Sequence, residues 1–322
     1  MSTCATASRE LAEPLSGTSA TARTWLLIEQ PGPWGAKALA SSHLDPAVGR
    51  ALERAADGTG VRVALIRRPG RHADCHSPSL RRVYAAHTLP GRSWIRTAEL
   101  PFGDPEVYGT GPQRLLALDF AALGAGEHGG LWTAYDGDPL ALVCTNGKRD
   151  RCCALLGRPL AAELAAGLGS DVWEVTHIGG HRFAPTVLVL PHGYAYGRAA
   201  APAVKGVLEA ARTGRVITAG SRGRSAWDRP GQAADLAVRE LTGEVRAEAL
   251  DVVRTEPLDA VRAGGKAHAW TVTVAHTDGR SWHVEVAQGA AEPPRPESCG
   301  AALGSPALME ILAVHEAVGS AF

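Results

Sequence analysis

Two cysteines and two histidines stand at spacings that can do metal chemistry. Cys144 and Cys153 flank a polar loop, and His177 and His181 flank Ile178-Gly179-Gly180. Two thiolates and two imidazoles suit either of two centres. One is a Zn2+ ion held tetrahedrally by all four. The other is a [2Fe–2S] cluster with the cysteines on one iron and the histidines on the other. The glycines favour the cluster, because adjacent glycines let a backbone approach a bulky inorganic core and turn N–H groups toward its sulfides. A helix would stack both histidines on one face, as zinc-binding helices do, and two neighbouring glycines disfavour that helix.

The flanking elements must bring these loops together. Residues 139–144 (PLALVC) and 171–176 (DVWEVT) read as strands, with a helix over 159–167 between them. Residues 186–190 and 194–196 read as a further hairpin, and 202–213 as a helix. Both candidate loops leave the carboxyl ends of their strands, where loops of a parallel-type sheet meet. Upstream, 25–29 and 61–66 read as strands around a helix at 45–56 opened by Asp45-Pro46. Residues 92–100, 114–118 and 131–135 read as strands or short elements. Downstream, 220–231 reads as a connection and 232–241 as a helix. A hairpin over 267–275 and 281–287 turns at Thr277-Asp278-Gly279, a Pro-rich linker follows over 290–296, and 306–317 reads as a final helix. The fold class is α/β. The expected divisions are a disordered lead-in over 1–23, an α/β domain over 24–125, a metal domain over 126–218 and a small α+β extension over 219–322.

Composition bounds the partners. The 322 residues are 45% apolar and 20% charged, as in ordinary globular proteins. Lys plus Arg and Asp plus Glu both number 33, so nothing in the net charge calls for nucleic acid or an anionic membrane. No apolar run approaches the ~20 residues of a bilayer span, and the amino-terminal stretch has no secretory pattern. The expectation is a cytoplasmic chain. Thiols stay reduced there, so clustered cysteines point to metal or redox chemistry rather than to stapling.

The runs CTNGKRDRCC and HIGGHRFAPTVLVLPHGYAYGR resemble the sucrase/ferredoxin-like family, whose metal domain is a thioredoxin-like ferredoxin. The resemblance is strongest over 139–213. It reaches WLLIEQPGPWG, VRVALIRRPGR and ESCGA more loosely. It implies Cys144 and Cys153 on one iron of a [2Fe–2S] cluster and His177 and His181 on the other. It implies a thioredoxin-like ferredoxin domain preceded by a degenerate α/β copy. Cys152, beside Cys153, departs from the pattern and stands as an alternate ligand, although the loop length favours Cys153. The function implied is one-electron transfer coupled to proton uptake at the imidazoles. The partners implied are a flavoprotein reductase on one side and an oxidase or monooxygenase on the other.

Lys148, Arg149, Arg182 and Arg198 are candidate docking cations for an acidic redox partner, with Arg222, Arg224 and Arg229 as extensions of that surface. The alternatives are a structural zinc module and, lower, a thiol-redox enzyme. The adjacent Cys152–Cys153 pair lacks the two-residue spacer of the usual dithiol motif. No carboxylate pair of the glycosidase kind is evident. His72, Cys75 and His76 form a weak metal-like fragment. His192 reads as a solvated turn residue, Cys299 as an inert thiol, and Trp173, Tyr194 and Tyr196 as core.

Overall fold

The computed structural model describes residues 3–70, 79–103, 111–168, 171–259 and 264–317. After helix α1 (Cys4–Glu10), the first half contains β1 (Thr24–Glu29), α2 (Pro46–Ala56), β2 (Val61–Arg67), β3 (Ser79–His87), β4 (Trp94–Phe102), α3 (Gly111–Leu116), α4 (Phe120–Ala125) and β5 (Thr133–Ala134). The centre contains β6 (Leu140–Cys144), α5 (Arg151–Leu168), β7 (Val172–Val175), β8 (Val187–Leu190), β9 (Tyr194–Tyr196), α6 (Ala201–Arg212) and β10 (Ser221–Arg224). These strands form one mixed sheet in the order β10-β9-β8-β6-β7-β2-β1-β3-β4-β5.

One topology occurs twice in that sheet. β1 and β2 are parallel, β1 and β3 antiparallel, and β3 and β4 antiparallel. β6, β7, β8 and β9 repeat the same relations. The two units join edge to edge through antiparallel β2 and β7, with Ile66 opposite Val175 and Arg67 opposite Glu174. The joint is ionic as well as apolar: Arg67 and Glu174 are both buried and lie 2.7 Å apart. The sheet thus runs without a break across the division expected near residue 126. The last part adds α7 (Arg229–Thr242), a sheet of β11 (Leu250–Pro257), β12 (Ala269–His276), β13 (Ser281–Ala290) and β16 (Ala307–Glu316), and a short β14–β15 pair (Arg295–Pro296, Leu303–Gly304).

Several sequence expectations are corrected. Residues 307–316 are strand β16, paired with β13 over its whole length, rather than a helix. Residues 111–116 form the short helix α3, which covers only the first part of the element expected over 114–118. α5 begins at Arg151, well before Pro159, which lies inside it. The Cys152 N–H bonds Asp150 Oδ1 at 2.8 Å, as at a helix cap. Buried Leu160, Ala161 and Leu164 then hold the helix past the proline. Residues 3–23 are not a loose lead-in. α1 is capped by the Thr3 side chain, and buried Glu13 pairs with Arg182 at 2.7 Å.

A buried histidine makes this packing sensitive to acid. The Thr24 hydroxyl donates to the Leu123 carbonyl at 2.7 Å, so the His87 Nδ1–H donates to Thr24 Oγ1 at 2.8 Å. His87 Nε2 is then an unprotonated buried atom with no partner. Burial, followed by the charges of Arg92, Arg23 and Arg224, pulls the ring from 6.5 to about 4. The unfolded chain therefore binds a proton that the folded chain refuses. Stability is fully present above pH 6.5 and falls as pH drops toward 4, by about 1.4 kcal/mol per pH unit from this residue. Urea unfolding at pH 7 and pH 5 is expected to show that loss in the wild-type chain and a smaller loss in His87→Gln. Equal losses in the two would remove His87 as the cause.

Candidate metal centre

β6 and β7 are parallel with Cys144 opposite Val175, so both candidate loops leave the same sheet end. Polar bonds fix where they go. The Thr145 hydroxyl and the Arg67 Nε–H both donate to Glu174 Oε2 at 2.8 Å. Asn146 Oδ1 accepts from the Lys148 N–H at 3.1 Å, and its Nδ2 donates to the Gly35 carbonyl at 3.0 Å. Thr176 Oγ1 accepts from the Leu65 N–H at 3.2 Å. Gly157 lacks a side chain where α5 lies against the Cys144 carbonyl, and that close approach seats Cys153 under β6.

Pairwise contacts link the four side chains. Cys153 Sγ lies 3.5 Å from His181 Nδ1. The His177 and His181 rings stack with centroids 4.6 Å apart and an interplanar angle of 23°. The Cys144 and Cys153 thiols touch. The hydrogen bond from Cys153, aided by the His177 ring and the Ile178 N–H, holds Cys144 well below the ordinary thiol range despite burial. The shared proton stays on Cys153, whose pKa is pushed up by that bond and by burial. Burial and the neighbouring His177 lower His181, keeping it a neutral imidazole, the form that ligates metal.

His177 Nδ1 is buried without a hydrogen-bond partner, an arrangement that is costly unless an absent group satisfies it. This donor set fits a thiophilic metal centre. The thiols are fully buried while both imidazoles are only half-buried, and His177 borders a cleft of ≈ 200 Å³ with Arg62, Arg149 and Lys37. Asp150 completes a potential donor group with Cys153 and His181, one atom of each lying within 4.8 Å of the others.

The two glycines differ in what lies behind them. Gly179 and Gly180 have φ of +74° and +70°. A Cβ on Gly180 would strike the Arg222 guanidinium, whereas one on Gly179 would only meet Ala20 at 3.4 Å. Arg222 is fully buried and donates to Thr18 Oγ1 at 3.1 Å, to the Gly179 carbonyl at 3.1 Å and to the Thr18 carbonyl. Burial brings it down to about 9, against the pull of Cys144 and Cys153. Gly180 thus makes room for a cation behind the histidine loop. Gly180→Ala is expected to cost about 1–2 kcal/mol for the left-handed backbone and about 1–2 kcal/mol more for displaced hydrogen bonds. Gly179→Ala costs only the first. Calorimetry should show the larger fall in Tm for Gly180→Ala, and equal falls would remove the guanidinium contact from the explanation.

Other expected residues fall as follows. Cys152 is buried and turns to Cys4 and Cys299, away from the histidines. Lys148 and Arg149 are exposed. Arg182 is only 8% exposed and bound to Glu13, so it is a structural cation rather than a docking one. Arg198 is half-buried and donates to the Ser8 and Glu13 carbonyls at 2.9 and 2.8 Å, tying down the amino-terminal segment. Arg222 and Arg224 are buried and Arg229 is half-buried, so they do not extend a surface. His192 is buried against Glu248 at 2.8 Å rather than solvated. Trp173, Tyr194 and Tyr196 are core. His72, Cys75 and His76 lie outside the described residues. Sequence reasoning missed Arg62, whose Nη2 donates to the His177 carbonyl at 3.4 Å; its only signal was a cation inside an apolar strand.

A large mixed sheet carries buried thiols and rim imidazoles at one end, so this is an α/β protein with a donor group that could hold a metal ion. The sucrase/ferredoxin-like family matches residues 15–223, and the chain belongs to that family. No curated protein and no solved structure matches the chain. Among the described residues no helix is long and apolar enough to cross a membrane.

Proposed function

We propose that Cys144, Cys153, His177 and His181 hold a [2Fe–2S] cluster and that the protein is a one-electron carrier. The observation that carries this reading is the meeting of two buried thiols with two stacked imidazoles, one bearing an orphaned buried nitrogen, in a chain of the sucrase/ferredoxin-like family. The order β7-β6-β8-β9, with β6 parallel to β7, supports a thioredoxin-like central unit. The order β2-β1-β3-β4 supports a degenerate first copy, whose strand ends carry Glu29 and Arg67 where the centre has Cys144 and Val175.

When bound, the cluster supplies a reversible one-electron couple. The chain's own residues do the rest. The cysteines sit in a dry core, while the half-buried imidazoles face the solvent side and offer nitrogens where a proton can come and go. Buried Arg222 and neighbouring Arg62 offset the negative charge of thiolate and sulfide. Exposed Lys148 and Arg149 suit docking of an acidic redox partner such as a flavoprotein reductase or an oxidase.

A second reading is one Zn2+ on the same side chains. The 3.5 Å between Cys153 Sγ and His181 Nδ1 favours it, because a sulfur and a nitrogen on one tetrahedral ion lie roughly 3.6 Å apart. Anaerobic purification separates the readings: a red-brown protein with matched iron and acid-labile sulfide supports the carrier, and a colourless zinc protein refutes it.

A further inference from the structure

The three described cysteines outside that centre also meet. Cys4 Sγ lies 3.5 Å from Cys152 Sγ and 3.6 Å from Cys299 Sγ, and the last two are 3.2 Å apart. Asp150 closes the group, with its carboxylate oxygens 3.7 and 3.8 Å from Cys4 Sγ. The residues come from α1, from the start of α5 and from the loop before β15, up to 295 positions apart in sequence. Sulfurs on one tetrahedral zinc are roughly 3.7–3.8 Å apart, so the observed spacings need only small adjustments.

Simple apolar packing of thiols accounts for the group less well. A buried carboxylate set against three sulfurs, all within 4.8 Å of one another, is a donor group rather than an apolar cluster. The carboxylate is also aimed. Its Oδ1 accepts from the Cys152 N–H at 2.8 Å and its Oδ2 from the Cys299 N–H at 2.7 Å, so one side chain orders two of the thiols. The surroundings are anchored too, since Arg198 holds Ser8 and Arg182 binds both Glu13 and Glu297. Cys299 is only half-buried, which gives an ion access.

We propose that Cys4, Cys152 and Cys299, with Asp150, form a second metal centre that takes Zn2+ and clips the amino-terminal helix and the Cys299 loop onto the loop carrying Cys153. Three thiolates with one carboxylate suit zinc better than monovalent copper, which selects sulfur alone. Cys4 and Cys299 both lie outside the matched span 15–223, and Cys152 lies inside it. The proposed centre uses none of Cys144, Cys153, His177 and His181, although Asp150 also lies within reach of Cys153 and His181.

The test uses the full-length His177→Ala/His181→Ala chain, reduced, stripped of metal and titrated anaerobically with Co2+ and then Zn2+. Expected is one equivalent of Co2+ with thiolate charge-transfer and tetrahedral ligand-field bands, displaced by zinc, and lost on adding Cys4→Ser and Cys299→Ser. The absence of those bands, or bands unchanged by the two serines, overturns the proposal. Alkylation mapped by mass spectrometry on the wild-type chain tests it without variants. Zinc should protect Cys4 and Cys299 from modification, because a ligated thiolate is not free to react, whereas unchanged alkylation, or a Cys152–Cys299 disulfide in the native protein, overturns it.

Discussion

Cys153→Ser is expected to abolish retention of iron and sulfide, while Cys152→Ser leaves both in place. The two residues are neighbours in sequence and buried to the same degree, so burial does not separate them. Direction does. Cys153 shares a proton with Cys144 and lies 3.5 Å from His181 Nδ1, whereas Cys152 lies 3.5 Å from Cys4 and 3.2 Å from Cys299. A serine oxygen is a far poorer partner than thiolate for iron of a sulfide cluster, so one ligand change at a buried site suffices for loss. Iron, sulfide and visible absorption on the two variants, purified side by side without oxygen, decide the matter. Loss in Cys152→Ser with retention in Cys153→Ser would reverse the ligand assignment.

The second large effect is on redox potential. Imidazole is neutral where thiolate is anionic, so reduction of a half-imidazole cluster is easier by hundreds of millivolts than with four thiolates. An added electron also raises the affinity of the free imidazole nitrogens for protons. Between the imidazole pKa of the oxidised and of the reduced protein, each electron brings a proton, and the potential falls by about 59 mV per pH unit. The two histidines are half-buried and His177 opens onto a cleft, so protons can reach them. His177→Cys/His181→Cys is expected to lower the potential by hundreds of millivolts and to flatten its pH dependence. Protein-film voltammetry between pH 6 and pH 10 measures both. A wild-type potential independent of pH across that range would argue against imidazole ligation.

Much of this centre was legible because its supports are local. PLALVC and DVWEVT are short apolar strands, each ended by a polar loop, and the parallel pairing of Cys144 with Val175 follows from a strand–helix–strand order. Other features depend on contacts that leave no local trace. Arg222 reads as part of a Gly/Ser/Arg-rich connection, yet it is a buried buttress reached through the missing side chain of Gly180. β16 has residues compatible with a helix, and pairing with β13 decides its state. The amino-terminal stretch resembles a disordered tail in composition. It folds because Arg182 and Arg198, near the histidine loop, bind Glu13 and Ser8. Cys299 reads as inert for the same reason: nothing near it in sequence announces that it meets Cys4 and Cys152.

The most direct test of the account is pulsed electron paramagnetic resonance on the chemically reduced wild-type protein. The account predicts an unpaired electron on an iron pair, coupled to two imidazole nitrogens, with both couplings gone in His177→Cys/His181→Cys. A silent protein, or a cluster signal with no nitrogen coupling, would contradict it.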